Sequence, residues 1–365
     1  MTRTKTLHSF AEKDAHTMAR LAEQPQAITF DPKYFVRCTG LGEWSGTDFL
    51  DASTRIRGEL GSPHLPYLAE LSERGYAATR LARTISCLEG LEADGASFGW
   101  RIVSGRAVES ERARSLFSSD INAVADVVGK ESSIGHSFKI QLCGPLTLAS
   151  SLYLPNGERA ISDRGATRDI RDSLIAGISS WIELIQEAVP GEQLFCQFSE
   201  PLAAAALQGE LLTASKFRTL APVEPHVLEE SFEMLQSELS ALNVKIAISD
   251  LAREYHPKIS ASADALAINT AEFADHDWED VARVVESGTE AWLGSADPQR
   301  YVPVADAAQK LWRAWRNVGL PASSLASLNL TESSSLQRVS SGYATQFLAY
   351  LTDMSRAISE IAQDS

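Results

Sequence analysis

Short apolar or β-branched runs alternate along this chain with longer amphipathic stretches. Eight runs read as candidate strands, at residues 34–39, 64–68, 138–143, 194–198, 244–248, 265–268, 291–293 and 325–328. Between them apolar residues recur at helical spacing, most regularly over 168–188 and 227–242. Strict alternation of strand and helix gives right-handed crossovers and a parallel sheet, and eight strands favour closure. The pattern therefore predicts an α/β fold, a (β/α)8 TIM barrel.

The same pattern divides the chain into an N-terminal extension and one barrel domain. Residues 1–30 carry little apolar periodicity apart from one candidate helix near 10–21, and residues 31–365 hold the barrel. The longest insertion, about 70–137, follows the second strand and predicts a helix at 76–92, a hairpin strand near 98–103 and a helix near 107–128. Such insertions at the upper rim of a barrel shape its substrate pocket.

A doubly wound dinucleotide-binding sheet is the alternative fold for this alternation. It requires a glycine-rich turn after the first strand, and Gly40-Leu41-Gly42 supplies the first two glycines. The third glycine of the G-x-G-x-x-G fingerprint would fall at Ser45. The sequence therefore lacks the complete dinucleotide-binding fingerprint, and the barrel is the preferred interpretation.

Composition and charge narrow the classes of partner. Hydrophobic residues make up 44% and charged residues 22% of the chain, which are values typical of a globular protein. The formal net charge of −15 and the pI near 5.0 oppose binding to a phosphate backbone, so we expect no nucleic-acid partner. No apolar run approaches the roughly 20 residues that span a bilayer, and residues 1–27 are polar. We therefore expect a cytoplasmic protein without a membrane partner.

The four cysteines, Cys38, Cys87, Cys143 and Cys196, lie far apart, and three of them fall inside strand-like runs. Reduced cysteine in such places behaves as a small apolar residue, so buried thiols are the preferred interpretation. A zinc or nucleophile cluster is the alternative. No Cys-x-x-Cys or His-x-Cys spacing supports it.

Three segments after predicted strands carry a family resemblance. They are TGLGEWSGT at 39–47, QLCGPLT at 141–147 and QFSEP at 197–201. In order and spacing they resemble the cobalamin-independent methionine synthases, over about 34–357, which corresponds to the C-terminal catalytic half of that family. Uroporphyrinogen decarboxylases belong to the same superfamily, so the fold does not fix the reaction.

The resemblance implies methyl transfer from 5-methyltetrahydrofolate, or another donor, to homocysteine, with a zinc ion that activates the thiol. The family holds zinc with a His-x-Cys pair, a Glu and a Cys. The corresponding positions here read Lys245, Ala247, Asn269 and Ser334. A cation, a methyl group and neutral amide or hydroxyl groups are poor zinc ligands, so we expect no zinc cofactor.

The resemblance also implies a set of substrate-binding positions at the barrel mouth. They are Gly42, Trp44, Thr147, Gln197, Ser199 and Asn269. Two contacts to the amino-acid substrate have changed, because the family has serine where this chain has Glu43 and aspartate where it has Ser199. Glu200 is retained and is either a general acid or base or a residue that holds the following turn.

Three functions remain open at this point. The first is a methionine synthase-like methyltransferase of one-carbon metabolism whose zinc site has degenerated. The second is a non-catalytic barrel that binds or senses a small molecule of the amino-acid or folate class. The third is a metal-independent enzyme in which Glu43 and Glu200 face each other across the barrel mouth as acid and base.

Overall fold

The computed structural model of the protein describes residues 31–132 and 135–365. Its strands are β1 (Arg37–Cys38), β2 (Glu92–Ala96), β3 (Gly99–Val103), β4 (Ser137–Cys143), β5 (Leu152–Tyr153), β6 (Gln193–Ser199), β7 (Lys245–Ser249), β8 (Ala265–Asn269), β9 (Glu290–Ala296) and β10 (Leu328–Glu332). Seven of these form one curled parallel sheet in the order β1-β10-β9-β8-β7-β6-β4. The predicted N-terminal extension and its helix near 10–21 lie outside the described residues.

Residues 65–70 lie between the two edge strands of this sheet. Leu65 N–H donates to Cys38 O of β1 at 2.9 Å, and Leu68 N–H donates to Lys139 O of β4 at 2.8 Å. Pro66 has no N–H, so a regular ladder cannot run through this segment. The predicted second strand is thus held by isolated bridges, and the sheet is TIM-like without being a closed eight-stranded ladder.

Helices pack on the outer face of the sheet and cover its parallel strands. In the described ranges they are α1 (Phe49–Glu59), α2 (Arg80–Ser86), α3 (Val108–Val128), α4 (Pro145–Ser151), α5 (Arg164–Ala188), α6 (Ala203–Gln208), α7 (Pro225–Ala241), α8 (His256–Ile259), α9 (Trp278–Glu286), α10 (Val304–Asn317) and α11 (Ser341–Gln363). Helix α5 begins at the Asp163 carboxylate, which accepts the Ala166 N–H, and it buries an Ile170, Leu174 and Ile178 stripe. None of these helices is long and apolar enough to span a membrane.

The inside of the curled sheet is filled in two layers. The lower layer is apolar and consists of Leu65, Phe195, Ala247, Ala265 and Trp292. One step further along β6 and β7 the inward positions are the polar residues Gln197 and Ser249, which bond each other. This polar layer forms the floor of the site described below.

The predicted strands at 138–143, 194–198, 244–248, 265–268 and 291–293 are confirmed to within three residues. The strand predicted at 325–328 begins three residues later, because Ala322–Ser327 form a 3-10 helix and β10 begins at Leu328. In the insertion the hairpin of β2 and β3 confirms the predicted strand near 98–103, whereas the predicted helix at 76–92 is only α2 and one 3-10 turn. All four cysteines are buried free thiols, as expected.

Candidate functional site

A cavity of about 420 Å³ opens at the carboxyl ends of the parallel strands. This is the end of a (β/α) barrel at which enzymes place their chemistry. The cavity walls come from the ends of β7 to β10 and from the residues just after them. They include Leu41, Ser249, Asp250, Arg253, Glu254, His256, Asn269, Gly294, Thr331, Glu332 and Ser333.

A chain of hydrogen bonds runs under the cavity from a buried lysine to the Asp250 carboxylate. Lys139 Nζ donates to Gln197 Oε1, and because an ammonium group only donates, this contact fixes the orientation of the Gln197 amide. Gln197 Nε2 then donates to Ser249 Oγ at 2.9 Å, so Ser249 directs its own hydroxyl proton to Asp250 Oδ2 at 3.0 Å. The lysine thereby sets the direction of every bond in the chain.

Asp250 is the carboxylate that this chain of bonds positions. Its φ of 59° lies in the left-handed region, which aspartate tolerates better than most residues. Its Oδ2 also accepts a hydrogen bond from Ser199 Oγ at 2.5 Å, and Arg80 Nη1 lies 3.7 Å from the same oxygen. The Asp250 side chain is nevertheless 43% exposed, so the carboxylate keeps accepting capacity toward the cavity.

A second carboxylate near the cavity, Glu70, is already neutralised. Arg80 Nε lies 2.9 and 3.0 Å from the two Glu70 oxygens, and Arg83 Nη1 lies 3.6 Å away. Arg80 also donates to Leu41 O at 3.2 Å, which ties the insertion to the loop after β1. The paired guanidinium groups leave Glu70 no free charge to offer a ligand.

Glu332, the last residue of β10, is 1% exposed and lines the cavity. Its Oε1 accepts the Leu41 N–H at 2.6 Å, whereas its Oε2 has no partner among the described residues. Burial raises the pKa of Glu332 to about 7, although the Leu41 N–H and the Lys139 cation both favour its anion. This carboxyl group therefore holds or releases a proton near neutral pH.

Lys139 lies under the same cavity on β4 and is fully buried. Its Nζ donates to Gly40 O as well as to Gln197, and it lies 5.3 Å from the Tyr67 ring centroid and 5.2 Å from that of Trp292. Burial lowers its pKa to about 7, against the opposing attraction of the Glu332 carboxylate. The aromatic rings and carbonyl oxygens nonetheless give the ammonium form a complete set of partners.

The structure gives Glu200 a role at the start of a helix. Its two oxygens accept the Leu146 N–H at 3.0 Å and the Thr147 N–H at 2.8 Å, which are unpaired donors at the start of α4. A Cβ on Gly144 would lie only 2.3 Å from Glu200 Oε1, so the turn requires glycine at this position. Burial raises the pKa of Glu200 to about 7. The interpretation of Glu200 as the residue that holds the turn accounts for all these contacts.

Glu43 lies in the loop after β1, where the neighbouring backbone pairs with residue 70. Trp44 N–H donates to Glu70 O and Glu70 N–H donates to Gly42 O. Neither Glu43 nor Glu200 is among the residues that line the strand-end cavity. Their predicted pairing across the barrel mouth is therefore not supported by this geometry, because capping of α4 occupies both oxygens of Glu200.

The other predicted substrate-binding residues divide into two groups. Gln197, Ser199 and Asn269 lie at the cavity or directly under it, and Asn269 Nδ2 donates to Ser333 O at 3.0 Å. Thr147 is instead part of the α4 turn, where its hydroxyl accepts the Leu202 N–H at 3.2 Å. Trp44 is fully buried in the main core.

Buried polar atoms without partners surround residues 40–44. Gly40 lies against the Tyr67 ring, Gly42 (φ 118°) lies against the Gln141 side chain, and Leu41 N–H bonds Glu332. Among the described residues no hydrogen bond reaches the polar atoms Trp44 Nε1, Tyr67 Oη, Gln141 Nε2, Gln141 Oε1 and Glu332 Oε2. Buried polar atoms are normally paired, so this cluster is an exception among the described residues.

The residues at the expected zinc positions do not fit the metal. Lys245 begins β7 at the opposite end of the strand from the cavity, and Ala247 is part of the apolar layer. Ser334 Oγ donates to Asp297 at 2.8 Å, and Asn269 is an amide at the cavity wall. Within the described ranges no group of three or more His, Cys, Asp or Glu side chains is arranged to hold a metal ion.

Sequence reasoning missed Lys139 and Arg80 and gave Asp250 and Glu332 no role. The signal for Lys139 was present in β4, where Lys139 and Gln141 alternate with apolar residues and so share the inner face. Arg80 lies in the insertion and not at a strand end, so no feature of the sequence indicated that it contacts Glu70 and Asp250. Only the folded chain brings these groups together.

A larger cavity, of about 550 Å³, lies at the opposite, amino-terminal ends of the strands. Its buried cation, Arg57, is already bound by Glu131 and Glu192 at 2.6 Å each. Its His64 accepts the Cys38 N–H through Nδ1 at 3.1 Å. These groups hold the base of the barrel together, and residues at this end of a barrel usually serve stability rather than chemistry.

No protein-family profile matches the sequence, and no curated protein matches it. Among solved structures the chain is similar to a B12-independent methionine synthase from Shewanella sp. W3-18-1 in complex with selenomethionine, with a TM-score of 0.58 and 11% identity over 91% of this chain and 100% of that one. It is also matched to the spore cortex-lytic enzyme SleL of Bacillus megaterium QM B1551, with a TM-score of 0.42 and 8% identity over 91% of this chain and 76% of that one. At these identities the comparison shows fold alone, and the first likeness establishes a TIM-like fold of the kind seen in methionine synthase.

Proposed function

We propose that this chain binds a small molecule with a cationic amino group, of the amino-acid class, in the strand-end cavity, and does so without zinc. The observation that carries the proposal is the Asp250 carboxylate. Two hydroxyl groups, Ser199 and Ser249, hold its Oδ2, while the side chain stays partly open to the cavity. A fixed, partly desolvated carboxylate is the group that proteins use to bind an ammonium ion.

The charge around the cavity supports the same ligand class. Asp250, Glu254 and Glu332 contribute three carboxyl groups to the wall, and Arg253 is the cation among the lining residues. Arg253 Nη1 is paired with Asp277 at 2.6 Å, so it does not compensate the wall. Arg80 Nη1 lies 3.7 Å from Asp250 Oδ2 and offsets part of this charge. The exposed part of Asp250 and the Glu254 carboxylate still favour a cation, in line with the acidic net charge of the whole chain.

Two further observations support an amino-acid ligand. The structurally similar methionine synthase of Shewanella sp. W3-18-1 is described in complex with selenomethionine, which is itself an amino acid. An amino acid is small enough for a cavity of about 420 Å³.

Methyl transfer, with homocysteine as acceptor, is the reaction that the fold resemblance suggests as a second candidate. The zinc ion of that reaction has no fitting ligand set here, so we derive no step through it. A non-catalytic barrel that binds or senses the amino acid uses the same cavity and the same Asp250 contact. Binding and turnover must therefore be tested separately.

Calorimetric titration of the full chain with L-methionine and with its 2-hydroxy analogue tests the ligand class. We expect binding of L-methionine and at least tenfold weaker binding of the analogue, because only the amine pairs with Asp250. D250N should weaken L-methionine binding at least tenfold, and D306N, which removes an exposed charge on α10, should leave it unchanged. Equal binding of the two compounds, or an unaffected D250N variant, would contradict the proposal.

Metal analysis and a methyl-transfer assay test the proposal that the chain binds its ligand without zinc. After incubation with zinc and dialysis we expect far less than one zinc ion per chain. The matched assay supplies homocysteine with 5-methyltetrahydrofolate and follows methionine formation. Stoichiometric zinc together with homocysteine-dependent methyl transfer would contradict the conclusion that the residues at the strand ends do not fit zinc.

A further inference from the structure

We infer that Glu332 is a catalytic acid–base group that exchanges a proton with the bound ligand through Oε2, and that Lys139 is a positioning residue that supplies its buried counter-charge. The inference rests on the proposed function in that it uses the same cavity and an amine-bearing ligand. It goes beyond binding because it assigns a chemical step and the residues that perform it.

The geometry of Glu332 indicates a group that works on a ligand. One oxygen, Oε1, is fixed by the Leu41 N–H, and the other is buried, unpartnered and part of a cavity-lining residue. Glu200 offers an internal comparison, since it is equally buried but both of its oxygens accept backbone N–H groups. A carboxyl group with a purely structural role is satisfied in this way, and Glu332 is not.

The geometry of Lys139 indicates a fixed charge rather than a nucleophile. It is fully buried, it is not among the cavity-lining residues, and Gly40 O and Gln197 Oε1 hold its ammonium group between two aromatic rings. A ligand carbonyl would have to displace those partners to reach Nζ. Lys139 therefore acts on the ligand only through Glu332 and through the Gln197 chain.

The other ionisable groups around Glu332 and Lys139 change the pKa values of these two residues and of Tyr67. Glu43 raises the pKa of Glu332, and Glu332 and Glu70 both raise that of Tyr67. Arg80 favours the neutral form of Lys139, while Glu70 and Asp250 favour its ammonium form. Lys139 is thus the cation that acts on Glu332 among these contributions, and it stabilises the Glu332 anion.

The proton balance of the step is simple. A ligand ammonium N–H bond breaks, its electron pair stays on nitrogen, and an O–H bond forms at Glu332 Oε2. The ligand becomes a neutral amine and Glu332 becomes a neutral acid, while Lys139 takes no part in the transfer. The reverse transfer restores the starting state, so no oxidant, reductant or further reactant is required.

Infrared titration of the ligand-free full chain between pH 5 and pH 9 tests the pair directly. We expect a protonated-carboxyl band that titrates near neutral pH, of which one component is missing in E332Q and the Glu200 component remains. K139M removes the cation that favours the anion, so it should move the midpoint of the Glu332 component up by at least one pH unit. E233Q, which removes an exposed carboxylate on α7, should leave both components unchanged.

An identical titration in wild type and E332Q would overturn the role of Glu332, and an unmoved midpoint in K139M would overturn that of Lys139. If K139M fails to fold, K139Q provides the same test with a side chain that still donates a hydrogen bond to Gly40 or Gln197. Proton exchange on L-methionine binding, measured calorimetrically in buffers of different ionisation enthalpy, should occur in wild type and disappear in E332Q. If L-methionine does not bind, the proposed ligand is wrong, and the infrared titration still decides the ionisation of the pair.

Discussion

Glu200 Oε2 accepts the backbone N–H of Thr147 at 2.8 Å, and this contact places the carboxyl group at the first turn of α4. The neighbouring Leu146 N–H bonds the other oxygen at 3.0 Å. Glu200, which the sequence left as either a general acid or base or a residue that holds the following turn, thus bonds a strand-to-helix turn. Its effect on stability can be separated from any effect on a ligand.

The first prediction concerns removal of this cap. E200A leaves two buried N–H groups unpaired and should lower the free energy of unfolding by about 3 kcal/mol. E200Q keeps one acceptor and should lower it by about 1 kcal/mol. Urea unfolding measures both, with L-methionine affinity as the second readout. Unchanged stability with lost affinity would instead make Glu200 a ligand contact.

The second prediction concerns pH. Burial gives Glu200 a pKa of about 7 in the folded chain, above its ordinary value of 4.5, so the folded state binds its proton more tightly than the unfolded state. Stability from this group is complete below about pH 4.5 and is lost as pH rises through about 7. The loss amounts to roughly 3 kcal/mol at 1.36 kcal/mol per pH unit. Between pH 5 and pH 8 the free energy of unfolding of wild type should fall by about that amount more than that of E200Q. Parallel curves of unfolding free energy against pH for the two proteins would refute the assignment.

The third prediction concerns a close approach between α5 and the chain after α2. A Cβ on Gly177 would lie 1.9 Å from the Cys87 carbonyl oxygen, which is backbone and cannot rotate away. G177A should therefore cost about 3 kcal/mol or more in unfolding free energy, as overpacking does. Gly58 on α1 has open space around its Cα, so G58A should stabilise the chain by about 0.5 kcal/mol. Equal effects of the two substitutions in thermal unfolding would contradict the packing of α5.

The fourth prediction concerns the ion pair of Arg80 and Glu70. R80M leaves Glu70 buried without its closest cation, which should cost about 3–5 kcal/mol. The double variant R80M/E70Q removes both charges and should recover most of that loss. Chemical unfolding of wild type, R80M, E70Q and the double variant gives the four free energies of this double-mutant cycle. Additive losses would show that the pair is not coupled.

The periodic pattern predicted the sheet well because buried parallel strands are nearly continuous apolar runs, as at Leu194–Phe198 inside β6. It placed the last strand three residues too early, because the apolar Leu325 belongs to a 3-10 turn that packs on the core before β10. It also overestimated residues 64–68, since Pro66 interrupts the ladder at that point. Local sequence thus identifies which segments are buried more reliably than which of them form ladders.

The site was predicted only in part. Asn269 lines the cavity, and Gln197 and Ser199 lie directly under it, where they bond the lining residues Ser249 and Asp250. Their roles in substrate binding remain predictions. The electrostatic influence of Lys139 on Glu332 could not be predicted, because it depends on curling of the whole sheet. Burial, which changes the proton affinity of both groups, is likewise a property of the folded chain and not of the residue types.

The bond between Leu41 N–H and Glu332 joins positions 291 residues apart, and the neighbouring strands β1 and β10 are paired over the same span. Loop closure over such a distance carries an entropic cost, so we expect this contact to form late in folding. One wall of the cavity comes from each partner, so a partially folded chain has no cavity to offer. If the proposed ligand binds in this cavity, we expect its affinity to depend on completed folding, so that a destabilised β1–β10 contact appears first as lost binding rather than as lost secondary structure.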